Sequence, residues 1–351
     1  MLSPKICNKR SKISKKLKFM LRNLLSGGAN AGAETLVGID FGSRHIYALV
    51  LRYLPATMTQ AARYQLHAMA SVPTPSGAIL DHQLQPIPQL VQALRQLRRL
   101  LKVRSRQVAS AVSGSSVTTK ILQVPARLPA ELLDYHVQQA AVQLRLPLAE
   151  LSLDFEVLKA DASQPDRDRV LLSAARTEQV QARVSALRQA GWRAQVIDIA
   201  SHALARAACF LLAPAAAELV AVLELDAESL TFMVIGEGEI IYQRLQPLAA
   251  YAEGADLSHA HDLESISLQV QRQLQLFCSN SGSGAPHTWL LCGSADPLPP
   301  LAAYLSEILG LRVQLPDFSR ILGDDADLHP QAAAFSTALG LALRHAVSCR
   351  I

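Results

Sequence analysis

Twice in this chain an apolar strand runs into an aspartate, turns within a few small residues and returns as a second apolar strand. The first instance is Leu36-Val37-Gly38-Ile39-Asp40-Phe41-Gly42-Ser43-Arg44-His45-Ile46, with the return continuing to Leu51. The second runs from Val220 to Leu225, turns at Asp226-Ala227-Glu228-Ser229 and returns from Leu230 to Ile235. Short apolar runs bounded by Gly, Asp and Ser read as hairpins. A hairpin tip carrying a carboxylate and small residues can receive a phosphate, because bare N–H groups point at oxygen and the aspartate can hold a hydrated Mg²⁺. D-x-G-S also occurs in ordinary turns, so one copy says little and the repetition says more.

The rest of the chain organises around these hairpins. Gln65 to Val72 reads as a further strand. Pro86 to Leu101 carries Leu or Ile at 87, 90, 94, 97 and 101, opposite a Gln/Arg face, which is the period of an amphipathic helix. Val108 to Ser113 is a buried strand ending at Gly114. A strand at 118–124, a helix at 130–144, strands at 151–160 and 170–175, a helix that Thr177 caps and a strand at 193–199 make a compact α+β series. Beyond Ile235, Gly236-Glu237-Gly238 turns the chain into a strand at 239–244. A helix at 263–279 follows, then a strand at 288–292 ending in Gly293-Ser294. Helices at 298–309 and 331–344 complete the chain.

Half of the 351 residues are hydrophobic and only 5% are aromatic. That supplies a large core, in two domains or one composite. The cysteines, Cys7, Cys209, Cys278, Cys292 and Cys349, are scattered, so neither a disulfide framework nor a zinc site is signalled. His259-Ala260-His261-Asp262 lacks the further ligands that zinc requires. Ser113-Gly114-Ser115-Ser116 reads as a strand-end turn, with no His/Asp pair placed to activate a nucleophile. No apolar stretch reaches the roughly 18 residues of a membrane helix, since Pro214 and Glu218 interrupt the candidate at 207–222.

Charge is distributed unevenly. Of the 34 basic residues, eight lie within residues 1–25, which hold no acid; the other 26 face 29 acidic residues, leaving a mildly acidic body. A body of that sign argues against nucleic-acid binding. The basic segment interleaves Ile13, Leu17, Phe19, Met20, Leu21, Leu24 and Leu25. It therefore reads either as an amphipathic element for an anionic membrane surface or as a solvated tail. Ser26 to Glu34 is a Gly/Ala-rich linker.

Two facing Asp-tipped hairpins are the phosphate clamp of the actin-like ATPase superfamily. Within it the chain resembles, as a divergent member, the type IV pilus assembly protein PilM family, relatives of the cell-division protein FtsA. Val37 to Ser43 looks like the family's first phosphate hairpin. The segment Tyr135 to Leu158, with Leu146-Pro147-Leu148 and Leu153-Asp154-Phe155, looks like its helix, turn and edge strand. Val170 to Arg176, Ala190-Gly191-Trp192, Val196 to Ala200, the 268–277 helix, Leu290 to Ser294 and Ala338 to Arg344 match in order. The resemblance covers about residues 35–345.

The resemblance implies an α/β, actin-like two-domain fold with ribonuclease H-like halves and an inserted α+β subdomain. Residues 1–34, ahead of the resemblance, read from their composition as a flexible basic tail and linker, which departs from the family pattern. A first subdomain spans 35–120 and 191–217, with 330–345 returning to it. The insert occupies 121–190, and a second half covers 218–329, with a helical part at 251–284. It implies a cytoplasmic scaffold, peripheral to the inner membrane, in the platform of a type IV or MSHA-like pilus. There it binds the cytoplasmic N-terminal segment of a PilN-like bitopic protein and contacts the assembly and retraction ATPases. Residues implied to hold ATP are Asp40, Gly42, Ser43, Arg44, Asp226, Ser229, Gly293 and Ser294, with Mg²⁺ held through water on Asp40 and Asp226.

The chain departs from the family pattern where phosphates bind. The second hairpin reads Asp226-Ala227-Glu228-Ser229, without the family's glycine, and Glu228 adds a like charge. Cys292 stands where the adenosine turn commonly has a first glycine. Arg44 and His45 follow Ser43, with Arg44 able to reach a phosphate. The expectation is a scaffold whose nucleotide pocket has degenerated. The alternatives are an active ATPase or sugar-kinase-like phosphotransferase, and an FtsA-like, self-associating filament protein held on a membrane by its basic tail.

Overall fold

The structure, a computed structural model, describes residues 36–54, 63–80, 82–143, 147–158, 164–227, 229–248, 260–294, 298–322 and 332–345. The expectations for the segment 1–34, for Glu228 and for His259 fall outside the described residues. None of the described helices is long and apolar enough to cross a membrane.

In chain order the elements are β1 (Val37–Phe41), β2 (His45–Leu54), β3 (Arg63–Pro73), a two-strand ribbon of β4 (Ile79–Leu80) and β5 (Gln83–Leu84), α1 (Pro88–Leu101) and β6 (Gln107–Val112). Then come β7 (Val117–Pro125), α2 (Ala130–Val142), β8 (Leu151–Val157), β9 (Arg167–Arg176), α3 (Thr177–Gln189), β10 (Arg193–Ile199) and α4 (Ala200–Leu212). The remainder comprises β11 (Val220–Leu225), β12 (Ser229–Gly236), β13 (Glu239–Pro247), α5 (Ala260–Ser281), β14 (Thr288–Cys292), α6 (Leu298–Leu309), β15 (Arg312–Gln314) and α7 (Ser336–Ala342).

The strands form two five-stranded sheets of the same plan. One has the order β10-β6-β1-β2-β3 and the other β13-β12-β11-β14-β15. In each, the first two strands form an antiparallel hairpin, the third adds antiparallel to the second, and the fourth and fifth add parallel on the other side. Asp40 and Asp226 therefore occupy the same place in the two sheets, at the end of the first strand. Parallel additions need a crossover helix, which α1 and α3 supply to one sheet and α5 and α6 to the other. This duplicated plan is the expected actin-like fold.

Apolar periodicity decides the layers. The stripe Leu90, Ala93, Leu94, Leu97 and Leu101 buries α1 against β3 and β2, in one core with Leu187 of α3 and Trp192 after it. Each such leucine contributes roughly 1.5–3 kcal/mol by leaving water, so an acid at Leu94 would undo the layer. Pro88 opens α1 where its missing N–H costs nothing, and Arg98 and Arg99 lie in the last turn, where cations suit the dipole. On the second sheet, Ile266, Val270 and Phe277 of α5 and Leu301 and Leu305 of α6 cover one face. Between the sheets lie α4 and α7, packed with Tyr47, Leu49 and Leu51 from one sheet and Val222, Met233 and Leu290 from the other.

Three local expectations change. Thr177 is the first helical residue of α3 rather than its cap, which is Arg176. The helix expected at 331–344 is α7 with a 3-10 turn on each side, Ala332–Phe335 and Leu343–His345. The stretch after Ile199, assigned no element above and overlapping the rejected membrane candidate only at 207–212, is α4. A separate compact unit spans Thr119–Ala174. In it a β7-β9-β8 sheet is covered by α2 through Val124, Val137, Ala141, Val170 and Leu172. Helix α3 belongs to the larger unit, where its Ala186 and Leu187 join the α1 core.

Candidate functional site

The site is built from strand ends of the larger unit. At the first tip, Asp40 pairs across the hairpin with Tyr47, and Gly42, Ser43 and Arg44 make the turn. The turn is stitched to the end of β3: the Thr74 hydroxyl donates to the Gly42 carbonyl at 2.7 Å, and the Thr74 N–H to the Arg44 carbonyl at 2.9 Å. The Ser43 Oγ is buried without a hydrogen-bond partner, while Arg44 is exposed.

The second tip is tighter. Leu225 pairs with Leu230, and the Asp226 N–H donates to the Ser229 carbonyl at 2.9 Å, closing a four-residue turn. Ser229 itself is buried. The loop after β14 folds onto this turn. Ser294 donates its hydroxyl to Asp226 Oδ1 at 2.8 Å and its backbone N–H to the same oxygen at 3.3 Å. The Gly293 N–H goes to the Ala333 carbonyl at 3.3 Å. Gly293 has φ +118°, and a Cβ there would strike the Leu225 carbonyl, so only glycine fits.

The electrostatics join the tips. Burial pushes the Asp40 carboxyl up to about 7, the Asp226 charge adds to this, and the Arg183 guanidinium and the Phe41 N–H pull it partly back. Glu224, two residues before Asp226, is driven well above the usual carboxylate range by burial, then by Asp226 and Asp40. Its one compensating contact of note is the Thr337 hydroxyl, which donates at 3.1 Å. Burial, then Glu224 and Asp226, push up the Cys292 thiol, and burial, then Asp226 and Asp40, push up the Tyr47 phenol. Arg183 is held by α3: Nε donates to the Ala111 carbonyl at 2.6 Å, and Nη1 to the Gln179 carbonyl at 3.0 Å and side chain at 3.2 Å. Its burial brings its own pKa down to about 10.

All eight residues expected to hold the nucleotide lie at these strand ends. Asp40 feels the charge of Asp226, and Asp226 is bound directly to Ser294. Among the described residues no three His, Cys, Asp or Glu side chains converge as a metal centre. Ser116, by contrast, is a turn residue whose hydroxyl donates to the Ser113 carbonyl at 2.7 Å.

Sequence reasoning missed Glu224, Tyr47, Arg183 and Thr337. Glu224 carried a signal, being the lone acid in the apolar run Val220–Leu225. Arg183 carried none, since it sits among other arginines and its distance from Asp40 closes only in three dimensions.

Among solved structures the chain is similar to a PilM-PilN type IV pilus biogenesis complex, with a TM-score of 0.74 and 23% identity over 89% of this chain and 98% of that one. It is also similar to the ethanolamine utilization protein EutJ from Carboxydothermus hydrogenoformans (TM-score 0.49, 14% identity, 93% and 94% covered). A third is the cytoplasmic domain of EpsL, an inner membrane component of the type II secretion system of Vibrio cholerae (TM-score 0.44, 11% identity, 89% and 94% covered). The family model of the type IV pilus assembly protein PilM matches residues 38–258, more than half of the 351 residues, and the chain belongs to that family.

Proposed function

We propose that this chain is a scaffold of a pilus-biogenesis platform at the cytoplasmic face of the inner membrane, and that its cleft takes no ATP. The observation that carries the second part is the Asp226–Ser294 contact. A polyphosphate needs free backbone N–H groups and a carboxylate able to hold a hydrated cation. Here the N–H groups of Gly293 and Ser294 and one oxygen of Asp226 are spent on each other or on Ala333. The site already resists negative charge: burial and the Asp226 charge push Asp40 and Glu224 toward their protonated forms, and a polyphosphate would bring more charge of the same sign. A site is argued from its residues and not from its fold, and these residues do not fit the nucleotide.

The scaffold part rests on family membership and on the similar PilM-PilN complex. The partner is the cytoplasmic N-terminal segment of a PilN-like membrane protein, with contacts to assembly and retraction ATPases following from the same platform. The basic residues 1–25 add a contact with anionic lipid. Titrating a synthetic peptide of the first ~20 residues of the neighbouring PilN-like protein into the full chain tests the partner, a length that an extended or helical cytoplasmic segment would supply. Saturable one-to-one binding supports the scaffold, and its absence sinks it.

A further inference from the structure

The chain passes between the two sheets through α4, which leaves the end of β10, and comes back through α7, which ends beside β1. Both helices lie in the layer between the sheets, and all seven residues of α7 are buried. α4 and α7 touch backbone to backbone, since a Cβ at Gly340 would fall on the Ala203 carbonyl, and α7 lies as close to β1, where a Cβ at Gly38 would fall on the Ala338 carbonyl. So close an approach leaves no side-chain cushion to accommodate sliding.

One carboxylate ties the three pieces together. Asp198, at the end of β10, pairs through Oδ2 with Arg206 of α4 at 3.2 Å and with Arg344, in the 3-10 turn after α7, at 2.8 Å. Its Oδ1 accepts the Ile199 N–H at 2.8 Å, and Arg206 Nη1 donates to the Gly340 carbonyl at 2.7 Å. Asp198 and Arg206 are 6% and 4% exposed at their side chains, Arg344 23%. His202, one turn before Arg206, is kept neutral by its burial and by the two guanidinium groups. The carboxylate thus has both acceptor atoms used and two opposite charges on it.

We propose that Asp198, with Arg206 and Arg344, is a pin that fixes the crossing of α4 and α7 and thereby sets the spacing of the two acid-tipped sheets. The spacing is then held from the joint and needs no ligand bridging Asp40 and Asp226. Breaking a buried pair by removing one partner leaves an uncompensated charge, so each bond of the pin resists separation. This goes beyond the scaffold reading and stands or falls separately from it.

Hydrogen–deuterium exchange of the full chain without nucleotide tests the pin, comparing the parent with Arg344→Met, Arg344→Lys and Asp198→Asn. Arg344→Met removes the most exposed of the three partners and is the variant least at risk of failing to fold. It is expected to speed exchange about tenfold in α7 and in both acid turns, 41–46 and 225–230, while α1 and α5 keep the parent's protection. Arg344→Lys restores most of the protection, and Asp198→Asn exceeds Arg344→Met or does not fold. Acceleration confined to 343–345 overturns the pin, as does uniform acceleration that includes α1 and α5.

Discussion

Ser294 presents both its hydroxyl and its backbone N–H to a single oxygen of Asp226, at 2.8 and 3.3 Å, across the ends of two neighbouring strands. The loop where a nucleotide base would rest is thus closed on the acid that would hold its metal. Charge-assisted hydrogen bonds of this kind are the strong ones. Ser294→Ala should lower stability by about 1–2 kcal/mol, read as a shift in urea midpoint at unchanged slope. No shift would mean that the contact does not hold the loop.

Asp40 gives the chain a stability that falls as pH rises. Its folded value of about 7 lies above its ordinary 3.8, so between these the folded chain binds the extra proton and unfolding becomes easier with each pH step. Asp40→Asn should therefore be more stable than the parent at pH 8, by on the order of 2 kcal/mol, with the gain gone at pH 4. Paired urea titrations at the two pH values measure it; an equal gain at both would contradict the assignment.

His202 acts in the opposite direction. Burial holds its folded value at about 4, below the ordinary 6.5, so its contribution is present above 6.5 and is lost as pH falls toward 4. Between pH 4 and 6.5 the two groups oppose each other. Removing Asp40 as above should uncover a steeper loss of stability between pH 6.5 and 4, and a His202→Asn background should flatten it again.

Gly340→Ala puts a methyl into the Ala203 carbonyl. Because the obstacle is backbone, α4 and α7 must separate, and a loss of about 3 kcal/mol or failure to fold is expected. A melting temperature within a degree of the parent would show that the crossing yields easily.

Residues 1–25 should carry any lipid affinity. Co-sedimentation with vesicles containing anionic lipid is expected to fall to background when they are deleted, and to fall with salt in the intact chain. Equal sedimentation with and without them removes the membrane contact.

The strands, both hairpins and α1 were legible because their apolar residues recur at period 2 or 3.6 and their turns carry Gly, Asp or Pro. Helix α4 was not, since it lies between two sheets and buries residues all round: Ala203, Leu204, Ala205, Arg206, Ala207 and Ala208 leave no polar face to set a period. Strands β4, β5 and β15 are too short to show alternation. The candidate site was legible in its residue types and not in its state. That Asp226 is bound to Ser294, 68 positions away, and that Arg183 faces Asp40 depend on which strands become neighbours, and sheet order sets that.

Calorimetric titration of ATP with Mg²⁺ into the full chain tests the closed cleft most directly. The account predicts no saturable heat up to millimolar nucleotide, in the parent and in Asp226→Ala alike. Binding in the micromolar range that Asp226→Ala abolishes would contradict it, a difference of about 4 kcal/mol in affinity between the two limits.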